Sequence, residues 1–282
     1  MVAAMAFAAC SDDEYSIDLG ESPASQQQWR RQLTADVEII NVPNTSENIE
    51  MVLVKAGTFT MGGVDVEGPE HQVTLTHDFY IGSTEVTQAL YYAVMNVNPS
   101  EFNYGDNYPV DKVSHKDAVD FCQKLTQLTG YRFVLPTEAQ WEYAAQGGHR
   151  APSAHYTYAG SNTINNVGWY WGNAPQYVTE DYITHELDTV RHTCAVKGKQ
   201  PNALGLYDMT GNVREWCADW YSVLGSESVT DPVGPVSSER GRVYRGGSCN
   251  DSAQYCRVAH RESLSSLSKG FNFGFRVAIN MN

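Results

Sequence analysis

Basic residues are scarce in this sequence. Its 282 residues hold 19 Lys and Arg against 33 Asp and Glu, a formal net charge of −14. Binding a phosphate backbone needs clustered cations. No such cluster occurs, so a nucleic-acid partner is not expected. Long apolar runs are missing too. No stretch of about 18 apolar residues exists, so the sequence offers no transmembrane helix. It contains no internal repeat, no phosphate loop and no nucleophile elbow. Its eight histidines, from His71 to His260, show no close metal-ligand spacing.

What is present begins with an unusual N-terminus. The first ten residues, MVAAMAFAAC, are small and apolar, and the chain then turns acidic at Ser11-Asp-Asp-Glu14. This reads as the end of a secretory hydrophobic region with a small-residue cleavage site. Phe7-Ala-Ala-Cys10 resembles a bacterial lipobox, which makes Cys10 the expected lipidation site. The acidic residues after it resemble the export signal of surface lipoproteins in Bacteroidetes. The expected address is the outer membrane, cell-surface exposed, with a lipid anchor. Residues 11–48 are polar and rich in Ser, Gln and Asn, and read as a tether. Residues 49–282 read as one domain.

Within that domain the patterning is uneven. Short strands are predicted at 51–54, 57–61, 73–76 and 79–81. Thr87 is placed to cap a helix running to Asn96. Ser114 is placed to cap a second, whose apolar positions Ala118, Phe121, Cys122, Leu125 and Leu128 follow the helical period until Gly130. Thr137 with Gln140 forms a capping-box pattern for a third, stopped by Gly147. Beyond Gly148 regularity fades, with short strands predicted at 207–209, 243–246 and 274–279. A loop-rich region of this length tends to be functional and needs something to hold it. Trp, Tyr and Phe make up 11% of the chain, which provides for an aromatic-rich core or binding face.

The cysteines are Cys10, Cys122, Cys194, Cys217, Cys249 and Cys256. With Cys10 lipidated an odd number remains, so at most two disulfides form. Cys122 lies on an apolar helical face and reads as a buried thiol. Cys217 and Cys256 flank the most distinctive loops, and the pairing stays open at this level.

Seven segments, in order, resemble the formylglycine-generating-enzyme (sulfatase-modifying factor) family. They are Met61-Gly-Gly63, Thr84-Glu-Val-Thr87, Pro109-Val110, Leu135-Pro-Thr-Glu-Ala-Gln-Trp-Glu-Tyr-Ala144, Gly205-Leu-Tyr-Asp-Met-Thr-Gly-Asn-Val-Arg-Glu-Trp216, Arg245-Gly-Gly-Ser248 and Gly274-Phe-Arg276. The resemblance implies a loop-rich α+β variant of the C-type lectin fold, often holding calcium. It places one calcium site at Asn212, Val213 and Glu215 and a second at Asn166 and Val167, with Asp181 or Asp188 as a further ligand. These residues offer the amide, carbonyl and carboxylate oxygens that calcium takes.

The same resemblance sets an expectation against catalysis. The family's oxidases bind Cu(I) with two cysteines separated by four residues, soon after the Gly-Gly-Ser turn. Here the first such position is Asp251, a hard ligand unsuited to Cu(I), and Cys249 and Cys256 are separated by six residues. Ser248 and Asn272 match pocket residues of those enzymes. Copper is therefore not expected. The favoured expectation is a non-catalytic surface lipoprotein that binds a protein or glycan, or serves in envelope assembly, through the stretch containing Tyr255, His260, Glu262 and Phe271. The alternatives are a copper oxidase that uses Cys249 and Cys256, and an iron-dependent enzyme of the sulfoxide-synthase type.

Overall fold

A computed structural model describes residues 33–63, 68–151, 155–180 and 187–281. Cys10 and most of the expected tether lie outside them. The tether expected over 11–48 is cut short at its C-terminal end, because Val37–Asn41 forms a strand, β1, paired antiparallel with β2 (Asn48–Val54). The apolar residues of Val37-Glu-Ile-Ile-Asn41 belong to an exposed edge strand set among polar neighbours, which hid it within the linker reading.

Strands β3 (Gly57–Met61), β4 (His71–Leu75) and β5 (Phe79–Gly82) fall where alternation of apolar residues placed them. A five-stranded sheet runs in the order β1-β2-β5-β14-β6, where β6 is Phe133–Val134 and β14 is Ala278–Asn280. All four residues of β5 are buried. The pleat sends successive side chains to opposite faces. Met51, Tyr80, Val277 and Ile279 join one core cluster, and Val52, Val54, Phe79 and Ile81 the other. The sheet thus separates two apolar layers.

Each predicted helix is present with its cap. Helix α1 (Gln88–Met95) is capped by Thr87 and ends on a left-handed Asn96; α2 (His115–Thr129) carries a Ser114/Asp117 capping box and ends on Gly130. On the first layer, Phe121 of α2 stacks on Tyr91 at 5.3 Å and meets Phe275 edge-on at 5.2 Å. Helix α3 (Glu138–Ala145) has the Thr137/Gln140 capping box and is buried nearly all round.

The second half holds a four-stranded sheet in the order β12-β11-β9-β13, built from β9 (Arg214–Trp220), β11 (Arg242–Arg245), β12 (Arg261–Leu264) and β13 (Phe273–Gly274). A separate two-stranded ribbon of β7 (Gln176–Glu180) and β8 (Leu187–Arg191) follows the short helix α4 (Ile164–Val167). Strand β10 (Val229–Thr230) joins β4 and β3. Two expectations are corrected. Residues 207–209 are not a strand, because Asp208 is left-handed (φ 58°) and breaks extension. The strand expected over 274–279 is two, β13 and β14, separated by the irregular residues 275–277, where the Arg276 side chain is fully buried.

The loops are held by buried charge. Arg276 gives Glu215 two bonds, at 2.6 and 2.7 Å, and also binds the carbonyls of Gly82 and Tyr207. Trp141 Nε1 donates to the same carboxylate at 2.8 Å. A second network joins Arg245 and Arg261 to Glu138, with Glu142 completing it. The five described cysteines are free thiols, all buried. Arg276→Met would leave Glu215 buried and uncompensated, a loss of about 3–5 kcal/mol. Chemical denaturation should show it, and Glu215→Gln combined with Arg276→Met should recover part. A single-variant loss below about 1 kcal/mol would deny the pair its structural role.

Candidate functional site

Three groups of side chains deserve comparison, beginning with the turn after β11. The chain leaves the strand through Gly246 and Gly247, both left-handed (φ 85° and 66°). A Cβ on Gly247 would lie 2.7 Å from Cys256 Sγ, so the turn packs directly on the 3-10 turn Ala253–Cys256. Ser248 Oγ then donates to Asp251 Oδ2 at 2.7 Å and accepts from Asn272 Nδ2 at 3.2 Å. Arg214 grips the same carboxylate with two bonds, at 2.9 and 2.6 Å. Parallel pairing of β13 with β9 sets Phe273 opposite Arg214, which brings Asn272 into this group. Asp251 is therefore an anchor in a closed network.

Cys249 and Cys256 do not share a partner. The Cys249 thiol points at the Arg191 carbonyl (3.5 Å) and the Cys256 thiol at the carbonyls of Ser248 and Ser252 (each 3.8 Å). Burial pushes both thiols well above their ordinary pKa, and nearby Asp251 adds to it. The thiolate, the form that binds a soft metal, is disfavoured here.

The second group is acidic and buried. Glu85 accepts from the main-chain N–H of Val213 at 3.0 Å and from Asn212 Nδ2 at 2.7 Å. Asn212, left-handed at φ 59°, also accepts from Cys194 N–H through Oδ1 and from Cys249 N–H through its carbonyl. Its polar atoms are thus already used in holding loops together. Asp208 takes the Lys197 N–H on Oδ2, while Oδ1 has no hydrogen-bond partner although the residue is 2% exposed. Burial pushes Glu85 well above the usual carboxylate range, with repulsion from Asp208 and Glu215 adding to it; burial likewise raises Asp208 to about 6. Asn166 is exposed on α4, with its carbonyl bonded to Gln200 N–H, and Val167 is buried. Asp181 lies outside the described residues, as does the side chain of Asp188. Among the described residues no three His, Cys, Asp or Glu side chains converge as a metal set.

The third group lines a cavity of about 590 Å³ between β11, β12 and the loop after β9. Antiparallel register pairs Tyr244 with Glu262 and Arg245 with Arg261. Alternation sends both arginines to Glu138 and leaves Tyr244 and Glu262 on the other face. Tyr244 donates its hydroxyl to Glu262. His260 is 6% exposed, yet neither ring nitrogen has a hydrogen-bond partner; Nε2 stands 3.7 Å from Glu262 Oε1, beyond hydrogen-bond length. His260, at ion-pair distance from the carboxylate, and the Tyr244 hydroxyl hold the Glu262 carboxyl down to about 2, so it is ionised at neutral pH. Tyr255, half-exposed, meets the His260 ring edge-on at 5.2 Å. Across the cavity Arg240 lies over the Tyr221 ring at 3.9 Å. Gly241 makes that possible, because a Cβ there would fall 2.0 Å from the Leu264 carbonyl.

Of the four binding-face residues read from the sequence, Tyr255, His260 and Glu262 line this cavity. Phe271 does not; it packs edge-on against Phe102 at 5.6 Å, near His192 and the exposed Tyr104. Tyr221, Arg240 and Tyr244 were missed. Only strand pairing places Tyr244 beside Glu262, and nothing in the local sequence marks it. The cavity adjoins the Gly-Gly-Ser turn, since the Arg214 guanidinium lies 5.3 Å from the centre of the Tyr244 ring.

Comparison with known proteins agrees with this architecture. The family described as "Sulfatase-modifying factor enzyme 1-like domain" matches residues 38–281. A protein of Paenibacillus barcinonensis named "Chaperone protein LppX" is 32% identical over 271 residues, 83% of this chain and 90% of that protein. A formylglycine-generating enzyme of Streptomyces coelicolor is 42% identical over 179 residues, 61% of this chain, and the match spans only 52% of that enzyme. Among solved structures, Treponema denticola variable protein 1 superposes with a TM-score of 0.75 at 31% identity, over 88% of this chain and all of that one. PvdO from Pseudomonas aeruginosa superposes at 0.64 with 24% identity, over 88% of this chain and 100% of that one, which shows a shared fold.

Proposed function

Since the chain belongs to the sulfatase-modifying factor family, we propose that it uses the family's domain to bind a partner at the cell surface rather than to oxidise a cysteine. One observation carries the reading. Asp251, which stands where the resemblance puts the first copper-binding thiolate, is held by Arg214 and Ser248 as a structural anchor. A carboxylate so engaged is a hard, occupied ligand, and Cu(I) prefers soft ones. Cys249 and Cys256 face different carbonyls and favour the protonated form, so they do not replace the missing pair. The cavity beside Tyr255, His260 and Glu262 supplies the binding alternative. In a copper-loaded assay with a Cys-x-Pro-x-Arg peptide and oxygen, no aldehyde should appear by mass spectrometry. Turnover that vanishes in Cys249→Ser and Cys256→Ser would overturn the proposal.

Membrane attachment through Cys10 completes this reading. It rests on the small-residue run before Cys10 and the acidic residues after it. A full-length precursor should label with a palmitate analogue, and Cys10→Ala should abolish the label. Equal labelling of the variant would remove the anchor from the proposal.

Calcium belongs to the proposal as a structural ion. The unpartnered, buried Asp208 Oδ1 is what a hard cation would satisfy. Asp208 and the Val213 carbonyl are the residues that would hold it, while Glu215 is taken up by Arg276 and Trp141 and Asn212 by Glu85, Cys194 and Cys249. A bound ion would add its binding free energy to the folded state. Chelation should lower the melting temperature and calcium restore it, with Asp208→Asn abolishing the response. A melting curve indifferent to chelator would remove calcium from this site.

A further inference from the structure

Resting on the binding reading above, we infer that the cavity bounded by Tyr255, His260, Glu262 and Arg240 takes an anionic sugar unit. Three observations define the ligand. The first is His260. Its ring lines the cavity with both nitrogens buried and outside hydrogen-bond distance of any described group, Nε2 standing 3.7 Å from the Glu262 carboxylate. Leaving such atoms unsatisfied is unfavourable, so a small shift of the ring that exposes them to ligand polar groups in the cavity is favoured. Hydroxyls serve both nitrogens, because each can donate or accept. An ammonium only donates and a carboxylate only accepts.

The second observation is the charge at the two sides of the cavity. Glu262 is ionised, and after the Tyr244 hydroxyl it has lone pairs left for further donors, which ring hydroxyls supply. Arg240 is a cation that, among the described residues, has no carboxylate partner; it only covers the Tyr221 ring. Arg261, by contrast, is spent on Glu138 and the Ser222 carbonyl. The free guanidinium calls for an acidic group, and its fork suits a carboxylate.

The third is the aromatic surface. Tyr255 is 39% exposed and offers a ring at the cavity mouth. A ring of this kind gives rigid, amphipathic contact area to a pyranose face. The volume of about 590 Å³ lies in the range of small-ligand sites and admits more than one sugar ring. The lining is predominantly polar, with only Val223 and Leu224 aliphatic, which disfavours a lipid or an apolar peptide.

The test measures binding of trigalacturonic acid and of neutral galactotriose to the full chain by calorimetry, with amide exchange to locate them. Trigalacturonic acid should bind roughly tenfold more tightly than galactotriose, the expected worth of one charge-assisted contact, and should protect residues 255–263. Arg240→Ala, a change at an exposed side chain, should erase that preference, and Arg240→Lys should restore part of it. His260→Ala and Glu262→Gln, checked for an unchanged circular dichroism spectrum, should weaken both sugars. Equal affinity for the two sugars, or a preference that survives Arg240→Ala, would overturn the inference. Free lysine protecting 255–263 while both sugars fail would also overturn it, leaving the broader binding reading intact. Protection confined to another surface would sink both.

Discussion

The structure hangs on the buried pair of Glu215 and Arg276. Both side chains are fully enclosed, and Arg276 spends its remaining donors on the carbonyls of Gly82 and Tyr207. One guanidinium therefore ties β9, the end of β5, the loop at Tyr207 and the C-terminal segment, while Trp141 fastens α3 to the same carboxylate. Main-chain carbonyls in loops have no ladder to satisfy them and must find partners elsewhere. Here charged side chains do that work, and it is why a chain with so little regular structure after Gly148 has a defined interior.

The networks around it follow the same logic. Glu138 holds Arg245 and Arg261 from adjacent strands, so the outer sheet is fastened to α3 by charge. Asn202 and Asn212 act as amide equivalents of these clamps. Asn202 binds the carbonyls of Ala144 and Ala145 and the N–H groups of Leu204 and Leu206; Asn212 joins Cys194, Glu85 and, through its carbonyl, Cys249. The Ser248–Asp251–Arg214–Asn272 group extends this pattern to the surface. At the position where resemblance sets a metal-binding thiolate, the chain has an ion pair that stiffens the turn. That turn stands beside the cavity, since Arg214 lies against Tyr244.

Legibility differed sharply between the halves of the chain. The three helices and the strands from β2 to β5 were readable with their caps, because capping and apolar periodicity are local properties. The start of the ordered region was misplaced, because an exposed edge strand such as β1 has half its positions in solvent and reads as linker. Residues 207–209 were misread as a strand for a related reason: Asp208 adopts a left-handed conformation that only the surrounding loops impose. Resemblance located the distinctive loops and proposed Asn212 for a metal; the structure adds that its polar atoms bond Glu85, Cys194 and Cys249.

By itself the sequence determined the family, the α+β class and the helix boundaries, since each depends on residue identity and short-range spacing. It also marked Tyr255, His260 and Glu262, which lie within eight positions of one another. Only the tertiary structure decided that Tyr244 stands across from Glu262, that Arg240 reaches the same cavity, that Phe271 leaves it, and that Asp208 keeps an unpartnered oxygen. Those relations come from strand register and from loops meeting over long sequence separations, and long-range packing is not written in any local pattern.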